Sequence, residues 1–330
     1  MHFRPSISAR HERWPLANTF TIARGSKDAA DVVVCTLSQD GHVGRGECVP
    51  YARYNESVDS VIAQIKAFES KAANGFTHAS VERLMPPGAA RFAVDAAAWD
   101  LSAKCSGKSV FNALGIDIGQ PLTTAYTIVY DSPEAMRKDA QRHAARPLLK
   151  IKLARKGDLD RLKAVRDGAP EAELIVDANE GWDLRDFEDI APDLAAEGVT
   201  TVEQPLPANA DAALQAGSYP FSLCADESCH DRSSLAHLIG RYDMVNIKLD
   251  KTGGLTEALA LKADARAAGL KIMVGCMVST SLAMAPAMAL GHDADLIDLD
   301  GPLLMKQDRP DGIEFTGSKM AWPRAALWGA

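Results

Sequence analysis

The chain has 330 residues, 47% of them hydrophobic and 24% charged, with a formal net charge of −8. That length suits a barrel plus a smaller domain better than one ordinary domain. The acidic balance argues against a nucleic-acid partner, which needs a basic stripe, but a few local cations can still receive an anionic small molecule.

Six scattered cysteines, Cys35, Cys48, Cys105, Cys224, Cys229 and Cys276, show no paired or zinc-like spacing and read as reduced thiols. The basic N-terminus is followed by no apolar run, and no stretch approaches the length of a membrane span. A cytoplasmic protein without a membrane partner is therefore expected.

In chain order, residues 31–37 (DVVVCTL) form a β-branched run, Gln39-Asp40-Gly41 signals a turn, and residues 43–47 can return as a second strand. Two helical patterns follow, over 57–73 with Ser57 as a cap, and over the Ala-rich 89–104, where Trp99 reads as helix packing. Strands followed by helices indicate an α+β domain over residues 1–118. From about Leu122 apolar strand-like runs alternate with helical segments, at 123–129, 148–153, 174–176, 199–202, 221–225, 244–249, 272–275 and 296–299. The expected fold is α/β: a (β/α)8-type barrel over 119–301 beneath the α+β cap, with the tail 302–330 packing back on the cap. A doubly wound open sheet would want a Gly-rich fingerprint after its first strand, and none is present. Gly253-Gly254 lacks the Lys-Ser/Thr of a phosphate loop and reads as a tight turn, and the histidines read as surface or supporting groups.

Polar residues close these runs at intervals of 22–28 residues: Lys152, Asp177, Glu203, Asp226, Lys248, Cys276 and Asp298. That interval is one βα unit, so the polar residues ring one mouth of the barrel. Any one of the acids alone also fits a helix cap. Three carboxylates, Asp177, Glu203 and Asp226, converging on one mouth repel one another unless a cation sits among them. All-oxygen ligation points to Mg²⁺, with Mn²⁺ as the alternative. Lys150 and Lys152 share one face of their strand, and Lys248 closes the sixth. Amines flanking a metal site from both sides suit removing a proton from one face of a carbon and returning it on the other, while a cation on the adjacent carboxylate stabilises the enediolate.

Asp298-Leu299-Asp300 aims two acids into the mouth, which suits a substrate cation, though both also fit loop or cap positions. Arg24 lies in a Gly-containing loop, where its guanidinium could clamp a second carboxylate.

KIK at 150–152, VDANEGW at 176–182, VEQP at 202–205, ADES at 225–228 and NIKLDKTGG at 246–254 resemble the muconate-lactonizing subgroup of the enolase superfamily. IARGS at 22–26, GECVPYARYNES at 46–57, ADESCHDRS at 225–233, GCMVSTS at 275–281 and DLDGP at 298–302 are similar to its dipeptide epimerases. The resemblance implies Lys152 and Lys248 as the acid/base pair, with Lys251 as the other candidate for the second base. It implies Asp177, Glu203 and Asp226 as Mg²⁺ ligands and Lys150 near the metal-bound carboxylate. Asp298 and Asp300 would take the α-ammonium of a small dipeptide, and Thr127, Cys276, Met277 and Ser279 would line the pocket. The implied reaction is epimerisation at the Cα of the C-terminal residue, with L-Ala-D/L-Glu as the expected substrate and a place in murein-peptide recycling. A lyase on the same scaffold, such as a dehydratase or o-succinylbenzoate synthase, an N-succinylamino acid racemase, and a non-enzymatic metal-binding barrel stay as alternatives, and a homo-oligomer stays open.

Overall fold

Strands β1 (Ser6–Ile22), β2 (Gly25–Gln39) and β3 (His42–Cys48) form an antiparallel sheet in that order in the computed structural model, which describes residues 2–22, 25–153, 155 and 157–329. Residues 31–37 and 43–47 lie in β2 and β3 as expected, and Asp40 and Gly41 turn the chain with φ of 52° and 78°. The sequence reading had no counterpart for β1. That strand is a charged edge, and Arg10, His11, Glu12 and Arg13 interrupt the apolar alternation that would reveal it.

Helices α1 (Val58–Lys71), α2 (His78–Leu84), α3 (Ala89–Ser106) and α4 (Val110–Ala113) follow. Ser57 and Ser60 box the start of α1, and α3 ends at Gly107 with φ of 64°. The Ala-rich character of α3 has a packing cause. A Cβ on Gly46 of β3 would stand 2.1 Å from the Ala93 carbonyl, and one on Gly44 2.2 Å from that of Ala97. Small residues on both partners let the helix lie directly on the sheet.

The barrel strands are β5 (Tyr126–Ile128), β6 (Leu148–Lys152), β7 (Glu173–Asp177), β8 (Val199–Glu203), β9 (Ser222–Ala225), β10 (Met244–Ile247), β11 (Lys271–Gly275) and β12 (Leu296–Asp298), all parallel and in sequential order. The expected first run splits. Its start is β4 (Leu122–Thr123), which pairs with β14 (Lys319–Met320) of the tail, itself paired with β13 (Phe315–Thr316). The seam between β5 and β12 is held by the Ala125 N–H on the Ile297 carbonyl (2.8 Å), the Leu299 N–H on Thr124 Oγ1 (2.8 Å) and the Thr127 N–H on Asp300 Oδ2 (2.6 Å).

Helices α5 (Pro133–Arg142), α6 (Leu159–Gly168), α7 (Leu184–Ala196), α8 (Leu235–Leu238), α9 (Leu249–Thr252), α10 (Leu255–Ala267) and α11 (Ser281–Gly291) connect the strands. One connection departs from the expected alternation: between β8 and β9 the chain runs through turns only. Pro205, Pro207 and Pro220 restrict that stretch, removing backbone donors and disfavouring helical geometry before each ring. The expected strand 244–249 also ends early, because Leu249 opens α9 and Lys248 becomes its N-cap. Gly253 and Gly254 turn the chain from α9 into α10 with φ of 75° and 122°. All six cysteines are free, and no helix is long and apolar enough to cross a membrane among the described residues.

Candidate active site

The strands are apolar until their carboxyl ends, so their final side chains meet in one place. Asp177 ends β7, Glu203 ends β8 and Asp226 follows β9, and one carboxylate oxygen from each lies within 4.8 Å of the others. β6 and β10 flank these three strands in the sheet. Lys152, ending β6, places Nζ 2.7 Å from Asp177 Oδ2, and Lys248, just past β10, places Nζ 2.6 Å from Asp226 Oδ2. Two amines thus stand at the two ends of a row of three acids.

Further groups hold the row. Lys150 is buried with Nζ 2.6 Å from Glu203, 3.0 Å from Asp177 and 2.7 Å from Asp298. The Asn246 side chain donates to Glu203 Oε1 at 2.9 Å. Lys251, on α9, donates to Asp226 Oδ1 at 2.6 Å and to the Asn246 carbonyl at 3.1 Å, and its side chain is fully buried. Burial works to lift the Asp177 carboxyl, but the Lys150 and Lys152 ammonium groups override it and hold it well below the usual carboxylate range. Glu203 goes the other way: burial, then the Asp177 charge, push it to about 7 against the pull of Lys150 and Lys248. Burial opposes the Lys248 charge, and Asp226 and Glu203 overcome it, so the amine stays protonated well above its ordinary range. A buried carboxylate whose ionisation is this hard to support is a natural seat for a hard divalent cation, and three such oxygens leave coordination positions for substrate and water.

Above the row opens a cavity of about 500 Å³. Its floor carries Lys152, Asp226 and Lys248, one wall carries Cys276, Met277 and Val278, and the roof is the cap domain, with Phe20, Lys27, Tyr51 and Tyr54. The cap is pinned over the barrel. The Arg53 guanidinium grips Glu180 through two hydrogen bonds of 2.9 Å, and the Val49 N–H donates to Asp250 Oδ1 at 2.7 Å. Asn179 and Glu180 reach those positions through left-handed backbone, φ 47° and 65°, directly after the Asp177 segment.

Two family models match the chain: the mandelate racemase/muconate lactonizing enzyme N-terminal domain over residues 5–115, and the enolase C-terminal domain-like family over residues 135–324. The chain belongs to the mandelate racemase/muconate lactonizing family of the enolase superfamily. It is 45% identical to the L-Ala-D/L-Glu epimerase of Escherichia coli strain K12, over 96% of this chain and 99% of that protein. It is 42% identical to the N-acetyl-D-glutamate racemase of a Pseudoalteromonas species, over 90% of this chain and 95% of the relative. A crystal structure of an enolase family member from Agrobacterium tumefaciens, described as homologous to dipeptide epimerases and holding sodium and L-Ala-L-Glu, superposes with a TM-score of 0.96 at 48% identity, covering 98% of this chain and all of that one.

For a member of this family, the expected residues fall into two groups. Lys152, Asp226, Lys248, Cys276 and Met277 line the cavity. Asp177, Glu203 and Lys150 lie directly beneath it, in contact with the lining lysines or with one another. The remainder are near but engaged elsewhere: Asp298 with Lys150, Asp300 with the Thr127 N–H, and Ser279 Oγ with the Met277 carbonyl at 2.9 Å. Asp298 pairs in register with Gly275, the residue before Cys276 of the cavity wall, and burial, then the charges of Asp298 and Asp300, push the Cys276 thiol well up. Lys251 faces Asp226 from the protein side, so Lys248 alone of the two meets the cavity. Arg24 lies outside the described residues.

Two residues were not foreseen. Gln204 is fully buried with φ of 38°, and its amide accepts from the Asp226 and Ser228 N–H groups at 2.9 and 3.1 Å while donating to the Leu206 carbonyl, Ser228 Oγ and Tyr242 Oη. It fixes the backbone that presents Asp226, and the only sequence signal was its place in VEQP. Lys27, on β2, lines the cavity roof with no carboxylate partner among the described residues; its contact is the Phe20 ring, 5.8 Å from Nζ. Burial holds its ammonium below the ordinary lysine value. Lys27 belongs to a hairpin rather than a strand end, so the spacing argument could not reach it.

Proposed function

We propose that this protein epimerises dipeptides by 1,1-proton transfer at the Cα of the C-terminal residue, with L-Ala-D/L-Glu as its substrate pair. The observation that carries this reading is the placement of Lys152 and Lys248 at opposite ends of the carboxylate row, both open to one cavity. One amine takes the α-proton from one face and the other returns a proton to the opposite face; the roles exchange for the reverse direction. Asp177, Glu203 and Asp226 hold Mg²⁺, or Mn²⁺ in its place. When bound, such a cation neutralises the carboxylate row and stabilises the charge that develops on the substrate carboxylate. The lidded cavity keeps water from the carbanionic centre.

Asp298 and Asp300 receive the α-ammonium, Thr127 and Ser279 complete that end of the pocket, and Lys27, with Arg24, receives the second side chain's carboxylate. A free-amine dipeptide is favoured over an N-acylated amino acid because Asp298 pairs in register with Gly275, next to the Cys276 wall, with Asp300 two residues on, and an N-acetylated glutamate offers these acids no cation. The two relatives share a glutamate skeleton in their names, which fits an anionic side-chain subsite. The reading extends to a cytoplasmic enzyme of murein-peptide recycling, with a cap over 1–118, a barrel over 119–301 and a tail over 302–330 returning to the cap.

The test is incubation of the Mg²⁺-loaded protein in D₂O with a dipeptide library, N-acetylglutamate and N-succinylamino acids, reading mass by substrate. Single-deuteron gain in L-Ala-Glu isomers is the expected result. Loss of water from a substrate would make the protein a lyase; gain only in acylated amino acids would make it a racemase of those; no incorporation anywhere would leave a binding barrel.

A further inference from the structure

The cavity wall formed by Met277 and Val278 belongs to the loop between β11 and α11, yet it is packed from outside the barrel. These two side chains cluster with Leu16, Ala30 and Val32 of the cap sheet and with Leu304 and Met305 of the tail. Beside this apolar patch is a polar one. Arg309, in the tail and buried, donates through Nε to Thr280 Oγ1 at 2.7 Å, and through Nη2 to Glu47 Oε2 at 2.5 Å and Glu12 Oε2 at 2.7 Å. Glu47, fully buried on β3, accepts the Thr280 N–H through Oε1 at 2.8 Å and also engages the Thr280 hydroxyl. The Trp14 ring covers the guanidinium, 5.1 Å away.

The neighbouring residues repeat the pattern. Asp308 Oδ1 accepts from the Ser281 N–H at 3.0 Å, and the Ile313 N–H donates to Ser281 Oγ at 2.9 Å. Thr280 and Ser281, which follow the cavity wall after Ser279, are therefore held by the tail and the cap. On the other side the loop is boxed in, since even a Cβ on Gly301 would come within 3.0 Å of the Ser279 carbonyl.

We infer that Arg309 is a positioning residue for substrate selection, acting through Glu47 and Thr280 on the Met277–Val278 wall. One planar guanidinium satisfies a buried carboxylate, a half-buried one and a hydroxyl at once, which an ammonium on a flexible stem does not reproduce. Without it Glu47 is a buried charge lacking its cation, and the group tied to Glu47 by both its N–H and its hydroxyl is Thr280, two residues from Val278. The tail thus sets the width of the space offered to the second side chain. This inference rests on the dipeptide reading above.

The test compares the Mg²⁺-loaded wild type with R309K, T280V and T280S, measuring melting temperature and, well below it, kcat and KM for L-Ala-L-Glu and L-Ala-L-Met by deuterium exchange. R309K and T280V are each expected to raise KM for L-Ala-L-Glu about fivefold or more and to shift the Glu-to-Met ratio of kcat/KM by a similar factor, with kcat changing less. T280S, which keeps the hydroxyl, is expected to restore both. A lower melting temperature with KM and selectivity unchanged would overturn the inference and leave Arg309 a structural tie. If R309K fails to fold, T280V decides alone, because it leaves the Arg309–Glu47 pair intact. Exchange by the wild type with unaltered variants overturns this inference only; no exchange by the wild type on any dipeptide overturns the proposed function and this inference with it.

Discussion

On the floor of the cavity Lys152 and Lys248 each lie within 2.7 Å of a carboxylate, whereas on its roof Lys27 meets, among the described residues, the Phe20 ring and no carboxylate. The floor is closed on itself: Lys150 serves three acids, Asn246 fixes Glu203, and Lys251 and Gln204 hold Asp226 from the protein side. The roof is a cap pinned at its edges by Arg53–Glu180 and Val49–Asp250, and it brings to the cavity a cation, Lys27, without a carboxylate partner among the described residues. A site in which every charge has an internal partner fixes reacting groups in place; a site with one cation left over waits for an anion from outside. On the proposed reading the reacting groups belong to the barrel, and the cap adds the cation that would meet the second side chain.

The contrast breaks first on the lysines of the floor. K152A and K248A are each expected to reduce epimerisation on the order of 10³-fold with the fold intact by circular dichroism, the usual range for a missing acid/base group, while the remaining lysine can still exchange the α-proton of the one epimer it faces. Appreciable epimerisation in either variant would remove that amine from the reaction. The next largest effect concerns the metal. Mg²⁺ at a hundredfold excess over its dissociation constant stabilises a protein that binds it only when folded by ~2.7 kcal/mol. E203Q is expected to lose most of that Mg²⁺-dependent rise in melting temperature, and an unchanged rise would place the ion elsewhere.

Selectivity sharpens the roof's side of the comparison. K27M is expected to lower the ratio of kcat/KM for L-Ala-L-Glu over L-Ala-L-Met by roughly tenfold, since an anion that loses its charged partner forfeits about that much. K27R is expected to keep the preference, and K27E to gain exchange on L-Ala-L-Lys; a ratio unmoved by K27M would show that the roof cation does not meet substrate. The smallest effect is on stability. Burial, then the charges of Glu56 and Glu47, against the Val49 N–H, lift Asp250 to about 8. The folded protein therefore holds this proton more tightly than the unfolded chain, and the associated stability, full below about pH 3.8, is lost as pH rises through about 8. D250N, which keeps an acceptor for Val49, is expected to gain about 1 kcal/mol or more over the wild type at pH 8.5 relative to pH 5, read by urea denaturation at both values.

The same contrast explains what was legible in the sequence. Asp177, Glu203 and Asp226 each close an apolar strand at the interval of one βα unit, so a linear pattern carried their convergence. β1 was hidden because a charged edge strand lacks the alternation of a half-buried one. The helix expected between β8 and β9 does not form, because three prolines outweigh the repeat. Lys27, Gln204 and Arg309 act through tertiary neighbours: a cation with no partner, an amide with five, and a guanidinium whose carboxylates lie on two strands of another domain. None of these has a signature in spacing, since each is defined by what it meets.

At the seam, β12 is joined to β5 by the Ala125 N–H on Ile297 and by two bonds that involve the side chains of Thr124 and Asp300. Elsewhere around the ring, regular ladder pairing occupies the backbone of adjoining strands, so there is little left to offer a visitor. Asp298 Oδ1 is buried here without a hydrogen bond, as are Glu203 Oε2 and Asn246 Oδ1 elsewhere in the ring. The seam is thus the stretch of the ring where side chains rather than a continuous ladder join the strands, so a substitution along β5 or β12 can change its polar groups without unpicking backbone pairing.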